Sequence, residues 1–306
     1  MDEFELIRRF FDRPVTTPGV VAGIGDDGAV LSVESGREQI QVIDTLVEGV
    51  HFPSDSDADD IGYRVVAVNL SDIAAMGGRP LWMTLALTLP PKDERWLTDF
   101  ATGLFAAAEE FDVALVGGDT TSGTIVVATI HMTGDVATGH ALRRSGARVG
   151  DTVFVTGTLG DAAAGLELMQ RGERDGELIE RFRRPTARVA AGQALVGHAS
   201  ATIDVSDGLV GDLRKLLDAS GVGADIDIAR VPMSSTLTSR FTADDARRFA
   251  LTGGDDYELC FTAADNRLDV VDDITAIGTI IAGDKLYCRL DGSTVNVDES
   301  GYRHFQ

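Results

Sequence analysis

The chain has 306 residues, 44% of them hydrophobic, enough for a sizeable core and two domains. No stretch of about eighteen uncharged apolar residues occurs, so no segment reads as a membrane span, and a net charge of −22 argues against attraction to nucleic acid or to an anionic membrane surface. The two cysteines, Cys260 and Cys288, have neither metal-ligand spacing nor a disulfide framework.

The first residues, MDEFELIRRF, are acidic and no apolar segment follows them, so no export signal is read and a cytoplasmic address is expected. Lysine occurs only as Lys92, Lys215 and Lys285, and arginine supplies the other basic side chains. An acid excess with few lysines matches the composition of proteins from saline cytoplasms. At molar salt the Debye length is about 3 Å, which screens the self-repulsion of such a charge. The expectation is a halophilic protein whose activity rises with salt.

Phe4, Ile7, Phe10 and Phe11 recur at helical spacing and predict a short amphipathic helix. VVAGIGDDGAVL reads as a strand entering a glycine turn, and EQIQVIDTLV as an alternating strand ending in an acid. DADDIGYRVVAVNLSDIAAMGG predicts a helix closed by Gly77 and Gly78. LWMTLALTLP reads as a strand stopped at Pro90 and Pro91. A helix from Asp93 to Glu110 leads into the strand VALVGGDTT, and TIVVATIHMTGDV is a further strand. This region mixes α and β without the regular alternation of a doubly wound sheet. TGHALRRSGARVGD, charged and glycine-containing, is the candidate boundary between an N-terminal α/β domain (1–137) and a C-terminal α+β domain (138–306). Beyond it, DTVFVTG reads as a strand, TLGDAAAGLELMQ as a glycine-initiated helix and RRPTARVAAGQALVG as another helix. ATIDVSDGL is a strand running into a turn and LVGDLRKLLDAS a helix. RFALTGGDDYELCFTA, ITAIGTII and short strands complete the chain.

Five apolar stretches end in aspartate. GIGDD carries Asp26 and Asp27, VIDTL carries Asp44, VNLSD carries Asp72, GGD carries Asp119, and IDVSDG carries Asp204 and Asp207. Carboxylates gathered at buried turns repel one another unless cations sit among them. Magnesium prefers carboxylate oxygens, keeps several waters and shares its shell with substrate phosphates. Aspartates at turns, with little Cys or His, therefore point to a hard-metal, phosphate-handling site. Acids added for salt tolerance belong on polar stretches such as PSDSDADD, whereas these follow directly on apolar runs. Asp93 and Asp207 also occupy plausible helix-cap positions.

No Walker-type loop ending in Gly-Lys-Ser or Gly-Lys-Thr is present. TGTLGDAAAGL puts glycines where a helix begins, and free N–H groups there bind anions; an ordinary strand-to-helix turn explains the same residues. Arg143, Arg144 and Arg148 fit a phosphate contact and solvated linker charge equally well.

Read in order, GIGDDGAVL, DTLVEGVHF, AVNLSDIAAMGGRP, GGDTT, TGTLGDAAAGL, RRPTAR, IDVSDGL and GGDDYEL resemble the motif series of thiamine-monophosphate kinases. The resemblance runs from about residue 5 to the GYRHF near the end and extends to the wider group of aminoimidazole ribonucleotide synthetases. It implies the two-domain fold of that group, with an N-terminal α/β domain whose strands close a β-barrel with a second subunit, and a C-terminal α+β domain. The implied reaction is ATP plus thiamine phosphate giving ADP plus thiamine diphosphate, with ATP as co-substrate, several magnesium ions and a homodimer. It implies Asp27, Asp44, Asp72, Asp119 and Asp204 as metal ligands, with Asp207 joining them, Asp72 and Asp119 being central to catalysis. Gly118, Asp119, Arg144 and Ser206 would contact ATP, and His51, Asp255 and Tyr302 the thiamine phosphate. His51 also has a plain reading, as a packed residue beside Phe52.

Three departures from the family pattern stand out. Val42 and Ile43 replace the usual Ser-Thr before Asp44, leaving the Ile43 position only a backbone carbonyl to offer a metal. Asp255 stands where the family has glutamate, and Arg64 where it commonly has lysine. The expected mechanism is direct in-line attack by a substrate phosphate oxygen on the γ-phosphorus, without a phospho-enzyme. An aminoimidazole ribonucleotide synthetase-like ligase is the enzymatic alternative, and a catalytically silent ATP-binding homologue is the other. A selenide water dikinase would carry a reactive residue such as Cys near the N-terminus, and no cysteine precedes Cys260. The hydrogenase-maturation protein of the group would end in cysteine, and this sequence ends in GYRHFQ.

Overall fold

The computed structural model describes residues 3–25, 27–91, 93–264 and 268–297. The chain divides into two units, Met1–Ile73 with Gly78–Gly139, and Ala74–Gly77 with His140–Gln306. The division at Gly139 falls inside the charged connection. Asp26, Lys92, Tyr302 and the GYRHF segment lie outside the described residues.

The first unit begins with α1 (Glu3–Leu6), continued by a π-helical stretch, Ile7–Phe11. The amphipathic segment is thus helical in two parts, with Phe10 and Phe11 buried. β1 (Val20–Ala22) and β2 (Val30–Leu31) flank the GIGDDG turn as an antiparallel pair. β3 (Arg37–Val47), α2 (Ala58–Ala75), β4 (Arg79–Leu89), α3 (Glu94–Glu110), β5 (Ala114–Ser122) and β6 (Val127–Ala137) follow. Among the described residues they form a four-stranded sheet in the order β3-β6-β4-β5, antiparallel except for the parallel pair β4/β5. β3 alternates as its sequence predicts, with Ile40 and Leu46 buried while Ile43 is 64% exposed.

The two long helices touch backbone to backbone. A Cβ on Gly62 of α2 would lie 2.1 Å from Phe100 O, and one on Gly103 of α3 would lie 1.8 Å from Asp59 O, so only glycine fits at either crossing. Asp93 caps α3 as predicted, its Oδ1 accepting the Trp96 N–H at 2.9 Å. Gly77, at φ +68°, ends α2 where the sequence places the stop.

The second unit holds β7 (Thr152–Thr156), α4 (Asp161–Gln170), α5 (Glu177–Arg183), α6 (Val189–Ala194), β8 (Ala201–Val205), α7 (Leu209–Ser220), β9 (Gly223–Asp227), α8 (Ser235–Arg240), α9 (Ala243–Thr252), β10 (Glu258–Ala263), β11 (Ile274–Ile281), β12 (Leu286–Leu290) and β13 (Ser293–Val295). Its seven strands run in the order β13-β12-β9-β11-β7-β10-β8 among the described residues. Val153, Val155, Ile203, Val205 and the apolar face of α7 form one core. The helix expected across RRPTARVAAGQALVG is shorter, covering only Val189–Ala194. Pro185 disfavours helical backbone at Arg184, and the Arg188 side chain is drawn into an ion pair with buried Glu258.

At one end of the first sheet, Asp135 on β6 is 1% exposed. Arg79 grips it with both Nε (3.0 Å) and Nη2 (2.8 Å), and Arg37 Nε lies 2.7 Å from it. Burial pushes the Asp135 carboxyl up, but the hydrogen bonds from Arg79 and Arg37 prevail and hold it below the ordinary carboxylate range. A depressed carboxyl stabilises the fold above its unfolded pKa of about 4, and that contribution is lost as pH falls through the folded value. Replacing Asp135 by Ala is expected to cost about 1–3 kcal/mol at pH 7. Urea unfolding should show the gap to wild type closing as the pH drops toward 3.

Candidate functional site

In the first unit a cleft of about 710 Å³ opens where the GIGDDG turn meets the edge strand β5. Asp27 and Asp119 line it together with Gly118, Arg8, Phe11 and Leu115. Gly118 is there because strands approach closely: a Cβ on it would stand 2.0 Å from Leu85 O. Bare backbone beside two acids leaves room for a polyanionic ligand. Arg8 is exposed and lines the same cleft. Sequence reasoning missed it, although the polar face of an amphipathic first helix was the signal that could have found it.

The sheet register separates the other acids of this unit. Asp44 shares a row with Ile130, Leu85 and Gly118; Asp119 belongs to the next row, with Ala86, Thr129 and Thr45. Successive residues of a strand point to opposite faces, so Asp44 leaves on the side of Ile40 and Leu46. That side carries the helices: the Ile73 side chain of α2 closes over Gly134 and Gly78. Asp72 lies half-buried on that same helix. The opposite face presents Ile43, Thr45, Ala86 and Thr129, with Thr45–Thr129 and Thr88–Thr121 hydroxyl pairs each at 2.8 Å. His51 Nδ1 accepts the Val47 N–H at 3.0 Å, which puts the proton of a neutral ring on Nε2.

In the second unit the turn after β8 meets the turn before β10. Asp204 is the penultimate residue of β8 and is buried. Gly254 approaches Ser206 so closely that a Cβ would lie 2.4 Å from the Ser206 carbonyl, which in turn accepts the Asp255 N–H at 2.9 Å. Asp255 has φ +71° and Tyr257 φ +53°, an uncommon conformation for both, and the Tyr257 hydroxyl donates to Asp255 at 3.1 Å. Asp207 is not the cap of α7; Gly208 takes that position. The Asp207 carboxylate instead accepts the Lys215 ammonium at 2.5 Å, and Lys215 also reaches Asp212 at 2.8 Å. Burial pulls the ammonium down, but these two carboxylates outweigh it and hold Lys215 above the usual lysine range.

The glycine-initiated helix α4 keeps its free N–H groups for the protein itself. Asp256, buried, accepts Gly160 N–H at 2.7 Å and Ala162 N–H at 3.3 Å, filling the place an anion would take. The strand-to-helix turn is therefore the correct reading of TGTLGDAAAGL. The arginine segment is no loose linker either. Ser220 Oγ accepts the N–H groups of Gly146 (3.1 Å) and Ala147 (3.2 Å) and donates to the Arg144 carbonyl, while the Arg143, Arg144 and Arg148 side chains stay exposed. Glu258, fully buried, takes Arg181, Arg188 and the Thr156 hydroxyl, joining the RRPTAR and GGDDYEL segments. Cys260 is buried on β10, and burial pushes its thiol far above the ordinary range, which rules it out as a nucleophile.

Asp27 and Asp119 supply carboxylate oxygens to a cleft lined, among the described residues, by no histidine or cysteine. Magnesium is ordinarily held by one or two carboxylates plus substrate phosphates, and this pair fits that pattern. Among the described residues no group of three or more His, Cys, Asp or Glu side chains forms a metal cage without a substrate. Nor is any helix long and apolar enough to cross a membrane among them.

Residues 25–136 match the family AIR synthase related protein, N-terminal domain, and residues 148–291 match its C-terminal domain. Fold and site thus define a two-domain protein of the AIR synthase related class. Thiamine-monophosphate kinase of Escherichia coli is 44% identical over 319 aligned residues, covering 99% of this chain and 98% of that enzyme. The crystal structure of thiamine-monophosphate kinase from Stenotrophomonas maltophilia has a TM-score of 0.87 at 43% identity, covering 96% of this chain and 98% of that one. AaThiL complexed with AMPPCP and TMP has a TM-score of 0.82 at 33% identity, covering 99% and 96%. The chain belongs to the thiamine-monophosphate kinase family.

The Asp256 cap carries its own test. Burial pushes its carboxyl well above the ordinary range against the pull of the Gly160 and Ala162 N–H groups. A raised carboxyl supports the fold most fully below its unfolded pKa of about 4 and less as pH rises. Asp256→Asn keeps an acceptor for Gly160 and should gain stability relative to wild type between pH 4 and 8. Asp256→Ala should lose about 1–3 kcal/mol by leaving buried N–H groups unmet. Thermal melts of both variants across that range decide the matter.

Proposed function

We propose that this chain transfers the γ-phosphoryl group of ATP to thiamine phosphate, giving thiamine diphosphate and ADP. The observation that carries the reading is the match to a thiamine-monophosphate kinase along 99% of the chain. A relative solved with AMPPCP and TMP supports it, as does a cleft in which two aspartates flank bare glycine backbone.

An oxygen of the acceptor phosphate forms the new bond to the γ-phosphorus as the bond from that phosphorus to the β,γ-bridging oxygen breaks, and ADP leaves with the electron pair. The attacking oxygen is anionic near neutral pH and needs no strong base. Repulsion between two polyanions is the main barrier, so positioning and charge stabilisation supply most of the catalysis. Magnesium, when bound, would neutralise the phosphates and align them. Asp27 and Asp119 would hold an ion at the cleft; the Asp44 and Asp72 carboxylates and the Ile43 carbonyl, and in the second unit Asp204, would be donors to other ions of the set that the family resemblance implies. The Gly118 backbone, Arg144 and Ser206 would orient ATP; His51, Asp255 and Tyr302 would orient the thiamine phosphate.

The homodimer belongs to the same proposal. The face of the first sheet carrying Ile43, Thr45, Ala86 and Thr129 is open, and pairing two such faces would close the β-barrel that the family resemblance implies.

ADP release should depend on thiamine phosphate and stop without it; release independent of that acceptor would overturn the assignment. Asp119→Asn should lower turnover by about 10²–10³-fold with circular dichroism unchanged, because Asp119 is exposed. Ile43→Asp should shift sedimentation from dimer to monomer, and an unshifted dimer would mean another face pairs.

A further inference from the structure

The turn after β8 shows a fully assembled ion cluster in which a protein side chain is the cation. Lys215 projects from α7 one turn beyond Asp212 and contacts both Asp207 Oδ2 (2.5 Å) and Asp212 Oδ1 (2.8 Å). The other oxygen of Asp212 accepts the backbone N–H groups of Ser206 and Asp207, each at 2.9 Å. The Asp212 side chain is 1% exposed, that of Asp207 31% and that of Lys215 41%. Asp207 is therefore held twice, at its backbone through Asp212 and at its carboxylate through Lys215.

We propose that the Lys215 ammonium replaces a divalent ion beside Asp207, so that this chain gathers one metal ion fewer than its aspartates suggest. The inference rests on the reading above, in which aspartates of this motif series hold magnesium. A metal ion on the same Asp207 oxygen would stand within about 5 Å of the ammonium, and the two cations would repel. Moving Lys215 away would leave Asp212 buried without its cation, and Asp212 cannot follow because its second oxygen is tied to backbone. The residue type fits as well. This chain has only three lysines among 27 basic residues; a compact ammonium, unlike a planar guanidinium, fills the space of a point cation between two carboxylates.

The test counts manganese ions bound to the full chain by electron paramagnetic resonance, with Mn²⁺ alone and with Mn²⁺ plus AMPPCP. Asp207→Asn should bind as many ions as wild type. Lys215→Met, similar in length and uncharged, should bind one more, and adding Asp207→Asn to it should remove the gain. Loss of an ion in Asp207→Asn alone overturns the proposal, as does a folded Lys215→Met variant with no gain. Should Lys215→Met fail to fold, the Asp207→Asn count still decides. Asp119→Asn separates the underlying reading: it should lose an ion from the other unit. If it does not, the metal assignment at the cleft fails, while the Lys215 comparison is judged on its own counts.

Discussion

A carboxylate withdrawn from water needs a cation or a set of donors at hydrogen-bond distance, and in a chain of net charge −22 that need organises both units. Asp135 is held between Arg37 and Arg79, tying three strands of the first sheet at one end. Glu258 gathers Arg181, Arg188 and Thr156 from three separate segments. Asp256 closes the start of α4, and Asp212 the start of α7. Asp135, Glu258 and Asp256 join stretches far apart in sequence, whereas Asp212 ties a local turn, so buried acids provide interior cross-links at both ranges.

The division of labour among acids was only partly legible from sequence. Aspartates ending apolar runs stand out because a charge after β-branched residues has to be accommodated, and Asp27 and Asp119 do reach one cleft. GGDDYEL shows the limit. Three acids in seven residues look alike on paper, yet Asp255 turns toward Ser206 and Tyr257, Asp256 turns into a helix start and Glu258 into an arginine pair. Which direction each takes depends on positive φ at Asp255 and Tyr257 and on the close approach at Gly254, and neither leaves a pattern in local composition.

Secondary structure followed the same rule. The long periodic elements, α2, α3, α7 and β3, lie where spacing and caps put them. The short α5 and α8 and the strand β9 escaped notice, because a segment of five to seven residues carries too few repeats to reveal its period. The helix expected through RRPTARVAAGQALVG starts only at Val189, because Arg188 is committed to buried Glu258, and tertiary pairing overrides propensity.

Register adds a constraint that no motif list contains. Asp44 and Asp119 come from strands of one sheet, but their rows are adjacent and point to opposite faces. Side chains that leave a sheet on opposite sides cannot chelate one ion through its middle; they can meet only around an edge. β5, which carries Asp119, is an edge strand of that sheet, while Asp44 lies on the opposite edge strand, β3. A single sheet therefore keeps these two carboxylates apart, and a ligand set that includes both needs donors from outside that sheet.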